Sequence, residues 1–232
     1  MKSLLGNRKL VITVFVILIL ASTALALGPM VFSLVMGRGV KTEPINLDRV
    51  KAATTELDGQ WNVVKGSPYN FTSAGFTNDE ILPADKRTTS GSTKEVTGQA
   101  SISGSTVKEA TITVDMTTLT TDKKVRDQNM KTKLFEVADF PESTFTLTTP
   151  ADLSAVPDDA SPATVSLTGD LTIHGETKNV TTDFQVVRDG DTIILGGDIP
   201  INRLDFGVET PEMIAAKISE VGEVNVRVTL QK

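Results

Sequence analysis

From Val96 to the C-terminus, apolar and polar residues exchange places at nearly every step, and this alternation limits what the chain can become. Val96, Gly98, Ala100 and Ile102 share one parity, while Thr97, Gln99, Ser101 and Ser103 take the other. The pattern returns at Ala110, Ile112, Val114 and Met116, at Val180, Phe184 and Val186, and at Val224, Val226, Val228 and Leu230. Successive side chains of a strand point to opposite faces, so a repeat of two marks strands with one dry face and one wet face. Abundant Val and Thr suit such a pleated, half-buried surface. Turn chemistry falls between the runs at Ser103-Gly104, from Gly175 to Asn179 and at Asp189-Gly190. About eight antiparallel strands in next-neighbour order are expected.

Two stretches interrupt the alternation. "TTDKKVRDQNMKTKLF" opens with Thr and Asp at a capping position and sets Val125, Met130 and Leu134 at helical spacing, which predicts a short helix over one end of the sheet. Thr210-Pro211-Glu212 before "MIAAKIS" reads as a cap, a proline in the first turn and a second short helix.

The N-terminal region follows other rules. After a short basic stretch, residues 1–9, no charge appears from Leu10 to Met36, long enough for a transmembrane helix. Ala24-Leu25-Ala26 resembles a signal-peptidase site, so secretion after cleavage near Ala26 is the alternative. The apolar run continues well past that site, which favours an uncleaved signal anchor holding the rest of the chain at the cell membrane on its extracytoplasmic side. Residues 37–57 are polar and aperiodic and read as a flexible tether, with a random-coil reach of about 25 Å. Residues 58–232 form the domain, with 26 acidic and 16 basic residues and so a formal charge of −10. Such a charge excludes nucleic acid as an electrostatic partner and disfavours an anionic lipid surface. The absence of cysteine removes disulfides, thiol nucleophiles and Cys-ligated metals together.

The only histidine, His174, has the parity of Ser166, Thr168, Asp170 and Thr172, on the polar face of its strand beside a turn. Glu176 and Asp170 give it neither a catalytic constellation nor enough ligands for zinc. No nucleophile elbow, phosphate loop, zinc-protease motif or dinucleotide fingerprint is present. The acids Asp122, Asp127, Asp139 and Glu142 are scattered as on a solvated surface. This reading assigns no catalytic residue, no metal and no cofactor.

Five blocks in order, "VTGQASI", "VDMTTLTTDKKVRDQNMKTKLFEVADFPESTFTL", "LTGDLTIHGETKNVTTDF", "INRLDFG" and "VGEVNVRVTLQ", resemble the YceI-like family of lipid- or polyisoprenoid-binding proteins of the bacterial envelope. "SPYNFTSAGFTNDEIL" is similar to the branch with an insertion at that point. The resemblance implies an extended lipocalin-like antiparallel β-barrel with one or two short helices, holding one long isoprenoid or acyl chain in an elongated apolar cavity. Members of the family can pair, so a homodimer is one expected state. The family's motif positions fall on Arg126, Asp127, Phe135, Pro141, Phe145, Gly169, His174, Gly175, Asn202, Asp205, Phe206 and Gly207, several of them architectural in character. The family's usual N-terminal histidine is missing.

An eight-stranded barrel has an interior that side chains can fill or that one small ligand can occupy. Inward candidates here are small, among them Gly98, Ala100, Ala110, Val114 and Gly169, which tilts the balance towards a cavity. Its expected lining is Phe71, Phe76, Ile112, Val114, Met116, Phe145, Leu147, Leu171, Phe184 and Phe206. The expected function is a membrane-anchored extracytoplasmic binding protein that carries, stores or senses a long-chain lipid. A solidly packed barrel acting as a structural adaptor between envelope proteins is the alternative.

Overall fold

The computed structural model describes residues 8–35, 37–82, 85–210 and 217–232. The strands are β1 (Gly59–Val64), β2 (Gly66–Ser67), β3 (Asn70–Phe71), β4 (Ser73–Leu82), β5 (Asp85–Thr93), β6 (Val96–Ser103), β7 (Thr106–Asp115), β8 (Glu142–Thr149), β9 (Ala151–Asp152), β10 (Ala163–Ile173), β11 (Glu176–Asp189), β12 (Thr192–Asn202) and β13 (Lys217–Gln231). Helix α1 spans Arg8–Val35, and α2 spans Lys124–Asn129 before a π-helical turn at Met130–Leu134.

The sheet closes on itself. Its order is β1-β6-β7-β8-β10-β11-β12-β13, and β13 returns to β1 through Asn62↔Gln231, Val63↔Leu230 and Val64↔Thr229. Every neighbouring pair is antiparallel, giving the expected eight-stranded barrel without a free edge along the closed part. The chain between β1 and β6 leaves this circuit. β2 and β3 pair only with each other, and the β4–β5 hairpin adds to the outer length of β13, with Val224↔Phe76 and Val226↔Ala74. β13 can serve both partners because it is long: its end near Gln231 closes the barrel while its earlier part carries the hairpin.

Turn geometry fixes the registers. Gly104-Ser105 and His174-Gly175 both have positive φ at the two central residues, as a tight two-residue hairpin loop of matching twist requires. His174 therefore stands in the turn itself, with φ +51°, and not on the polar strand face that its parity predicted. At the other hairpin Gly190, φ +60°, begins the loop between Asp189 and Thr192. At the start of α2 the N-cap is Lys123, without a side-chain hydrogen bond. Asp127 instead reaches back and accepts from the amide and hydroxyl of Thr121, at 2.6 and 2.7 Å. The second short helix was expected over Thr210 to Ser219. Residues 211–216 of it lie outside the described residues, and Lys217 onward is strand.

The segment 37–57 differs most from expectation. It is a strap laid along the outside of the barrel. Its amide at Asn46 donates to Asn70 Oδ1, whose Nδ2 donates back to the Asn46 carbonyl, at 2.8 and 2.9 Å. Ala53 and Thr54 donate to the carbonyls of Asp158 and Gly190. Ile45 is buried against Val187 and Ile194, two outward residues of β11 and β12. The strap and β3 also cover the polar face of β13, so Asn225, Arg227 and Thr229, expected in water, are buried. Each has found partners. Asn225 donates to Asp198 and accepts from Thr77, while Arg227 donates to the carbonyls of Phe71 and Pro44. Burial lowers the Arg227 guanidinium below its ordinary pKa, and Glu43 partly offsets this.

One end of the barrel is sealed by packing. Trp61, 1% exposed, donates its indole N–H to the Leu57 carbonyl at 2.7 Å and packs in one cluster with Leu153, Val156 and Ile102. Asp58 ties the β6–β7 turn to this end by accepting from the amides of Gly104 and Ser105 at 2.8 and 2.9 Å. The Ser105 amide, and then that of Gly104, hold its carboxyl below the usual range. A carboxylate whose pKa is depressed on folding stabilises the fold above its unfolded value, and the contribution disappears as pH falls through the folded value. Asp58→Asn should therefore be less stable than the parent at pH 6, with the difference shrinking as the pH drops below about 3.9. Urea unfolding of both proteins from pH 6 to pH 2 reads this; a gap that stays constant or widens in acid would contradict it.

Candidate functional site

The inward faces of the barrel do not meet. They enclose a cavity of about 510 Å³, within the range of pockets that hold a small ligand. Nine of the ten residues expected to line it do so: Phe76, Ile112, Val114, Met116, Phe145, Leu147, Leu171, Phe184 and Phe206. Phe71 does not. It belongs to the small β2–β3 sheet outside the closed circuit, with Lys94 Nζ 4.3 Å above its ring and its carbonyl accepting from Arg227. The remaining wall comes from residues whose alternation was visible but which were not singled out, notably Val224, Val226, Val228 and Leu230 of β13.

Missing side chains keep the lumen open. Ala74, Ala100 and Ala110 line it directly. Gly169 acts differently, because a Cβ there would lie 2.4 Å from Phe145 Cζ; the ring occupies the space that a side chain would take. At Gly197 a Cβ would lie 2.8 Å from Phe184 Cδ1. In both places an aromatic ring lies against bare backbone of a neighbouring strand, not across the cavity.

The end opposite Trp61 is the mouth. It is edged by α2 with its π-turn, by the β4–β5 hairpin and by a 3-10 turn at Arg203–Phe206. Phe135 and Phe76 meet edge to face there, with centroids 5.5 Å apart. Arg203 is buried in this wall, yet its donors are taken by the carbonyls of Val208 and Ser219 and by Thr210 Oγ1. These three contacts hold the guanidinium in the wall and use three of its five N–H donors. Ser143, inward on β8 beside Val114, is buried, and its hydroxyl has no partner among the described residues.

The motif positions outside the lining have structural contacts. Arg126 pairs with Asp122 at 2.5 Å and donates to the Gly37 carbonyl, while also reaching the cavity rim. The Pro141 carbonyl accepts from Met116. Asn202 caps the 3-10 turn by accepting from the Leu204 amide, Asp205 is exposed within that turn, and Gly207 ends it with φ +66°. His174 Nε2 lies 3.1 Å from Glu136 Oε2, and its ring packs on Phe140 at 4.3 Å. Gly175 leaves room for that phenylalanine, since a Cβ would lie 2.6 Å from it. None of His174, Glu136 and Phe140 lines the cavity. Among the described residues no group of three His, Asp or Glu side chains could hold a metal ion.

Residues 61–230, from the Trp61 seal to the closing strand, match the YceI-like domain family. The chain belongs to the YceI-like family. Its fold is similar to that of a polyisoprenoid-binding domain from Saccharophagus degradans implicated in plant cell wall breakdown, with TM-score 0.56 and 18% identity over 74% of this chain and 97% of that one. It is also similar to BcnA of Burkholderia cenocepacia, with TM-score 0.51 and 20% identity over 67% and 95% of the two chains. No curated protein matches at the sequence level. Within this YceI-like barrel the β4–β5 hairpin and the strap frame the mouth and the outer wall.

Gly169→Ala tests how the lumen is kept open. The new methyl must displace the Phe145 ring or the Thr146 carbonyl, and overpacking of this kind costs about 1–3 kcal/mol. Urea unfolding should show that loss; a variant as stable as the parent would mean that Phe145 is not held in the glycine notch.

Proposed function

We propose that the protein is a non-catalytic binding protein that holds one long apolar lipid, an isoprenoid or a related acyl chain, inside the barrel. The observation that carries this reading is the cavity itself: a lumen open at one end and apolar from Leu230 to Phe76, in a fold that could have been packed solid. Burial of each methylene is worth about 0.8 kcal/mol, so ten carbons supply about 8 kcal/mol before the cost of ordering the guest. No ionic contact is needed for that. A guest with a neutral polar head suits the unpaired Ser143 hydroxyl in the cavity wall, whose burial without a partner otherwise costs about 1–3 kcal/mol. The family membership and the polyisoprenoid-binding domain of similar fold support the same choice of ligand class.

The location of the protein belongs to the same proposal. α1 is one helix long and apolar enough to cross a membrane, and every described side chain from Arg8 to Gly28 is exposed in the absence of a bilayer. Read as a signal anchor, it keeps the barrel at the extracytoplasmic surface beside a reservoir of lipid chains. Carriage, storage and sensing all begin with that step. The adaptor reading needs a filled lumen, which the cavity argues against.

Met116 is buried in the wall at the mouth-side end of β7, and its substitution tests the proposal. Met116→Arg should abolish uptake of a fluorescent polyene fatty acid that the parent protein binds. Circular dichroism and thermal unfolding report whether the barrel survives. A folded Met116→Arg protein that still binds the probe as the parent does would refute the cavity as the binding site.

A further inference from the structure

We infer that the strap docks the mouth of the cavity, α2 edge first, against the surface of the bilayer that α1 crosses. This rests on the reading of α1 as the membrane span. Its 28 residues measure about 42 Å at 1.5 Å per residue, close to the full thickness of a bilayer with its headgroups. The helix therefore ends at Val35 near the level of the headgroups. Two residues further on, within about 7 Å of extended chain, stands Gly37.

From Gly37 onward there is no slack. The Gly37 carbonyl accepts from Arg126 of α2 at 3.0 Å, and Arg126 is itself held by Asp122. The Arg38 carbonyl accepts from the Ser90 amide at 2.9 Å, and Val40 donates back to the Ser90 carbonyl at 3.0 Å. Arg126 and Ser90 belong to two different edges of the mouth, α2 and the β4–β5 hairpin. Gly37, Arg38 and Val40, within five residues of the helix end, are thus bonded to both, and the barrel's open end is tied close to the point where the chain exits the membrane.

The rim carries the chemistry that such a surface needs. Between Thr120 and Leu134 there are five basic residues and two acidic ones, in a domain of charge −10. The two acids are engaged within the segment, Asp122 with Arg126 and Asp127 with Thr121. That leaves Lys123, Lys124, Lys131 and Lys133 as a positive edge, suited to anionic headgroups. Glu136, Asp139 and Glu142 are exposed just beyond this segment, and Glu209 and Glu220 are exposed on the loops and strand that follow β12, so the positive edge is confined to α2 and its π-turn. Val125 projects from the basic edge with 72% of its surface exposed, and Val221, at the mouth end of β13, is 63% exposed. A lipid tail can then move between bilayer and lumen along an apolar path without crossing open water.

The chain has no cysteine, so one substitution gives one labelling site. Val125→Cys and Val221→Cys report on the rim, and Lys108→Cys, exposed on β7 towards the sealed end, is the control. Each full-length variant carries the environment-sensitive dye NBD and is reconstituted into vesicles of phosphatidylcholine and phosphatidylglycerol with brominated acyl chains. The expected result is a blue shift and loss of most emission at Val125→Cys, a smaller loss at Val221→Cys, and none at Lys108→Cys. If the variants float with the vesicles but the rim labels behave like the Lys108→Cys label, the docking is wrong and the anchor stands. If the parent chain fails to float with the vesicles, the anchor is wrong and the docking falls with it.

Discussion

The return of β13 to β1 is the contact on which the rest of the molecule depends. Three residue pairs, centred on Val63 and Leu230, turn a strand array into a closed wall. Closure gives every inward residue of eight strands a common interior and leaves no exposed ladder along the circuit. It also fixes the diameter, so the volume left inside is decided by the side chains alone. Alanines at 74, 100 and 110 and the glycine notches beneath Phe145 and beside Phe184 leave that volume unfilled. Trp61 closes one end, so an apolar guest has one way in.

Much of this was legible in the alternation. The parity of Ala100, Ile112, Val114, Leu171 and Val226 names the inner face directly, because a strand of a closed barrel has nowhere else to place an apolar row. Phe71 was misread for a specific reason. Period two identifies a strand, not the sheet it joins, and β3 pairs only with β2 outside the circuit. The burial of Asn225, Arg227 and Thr229 was equally hidden, since their partners are distant in the chain: Thr77 for Asn225, Asn70 and Thr72 for Thr229, and for Arg227 the strap, about 180 residues earlier. A signal did exist. Val186-Val187 and Ile193-Ile194 break the alternation, and the outward member of each doublet, Val187 or Ile194, meets Ile45 of the strap. His174 was read as a strand residue because parity continues into the turn, whereas the His-Gly pair with positive φ begins the hairpin.

The strap changes how the N-terminal helix relates to the barrel. A polar, aperiodic segment of this length has the composition of a tether, yet its backbone is bonded to Asn70, Ser90, Gly190, Asp158 and the side chains of Arg126 and Arg227. Such contacts convert a random-coil reach into a defined path. The charge of the domain carries the same lesson: a total of −10 argued against a lipid surface, while the charge that matters is local to α2.

On the proposed function, the lumen holds a lipid drawn from the adjacent membrane. The most direct test is native mass spectrometry of the full-length chain, released from nanodiscs made of its own host membrane, followed by organic extraction and identification of what stays bound. One long-chain neutral lipid per chain should remain after the surrounding bilayer lipids are stripped. A bare chain mass under conditions that keep the barrel folded would contradict it.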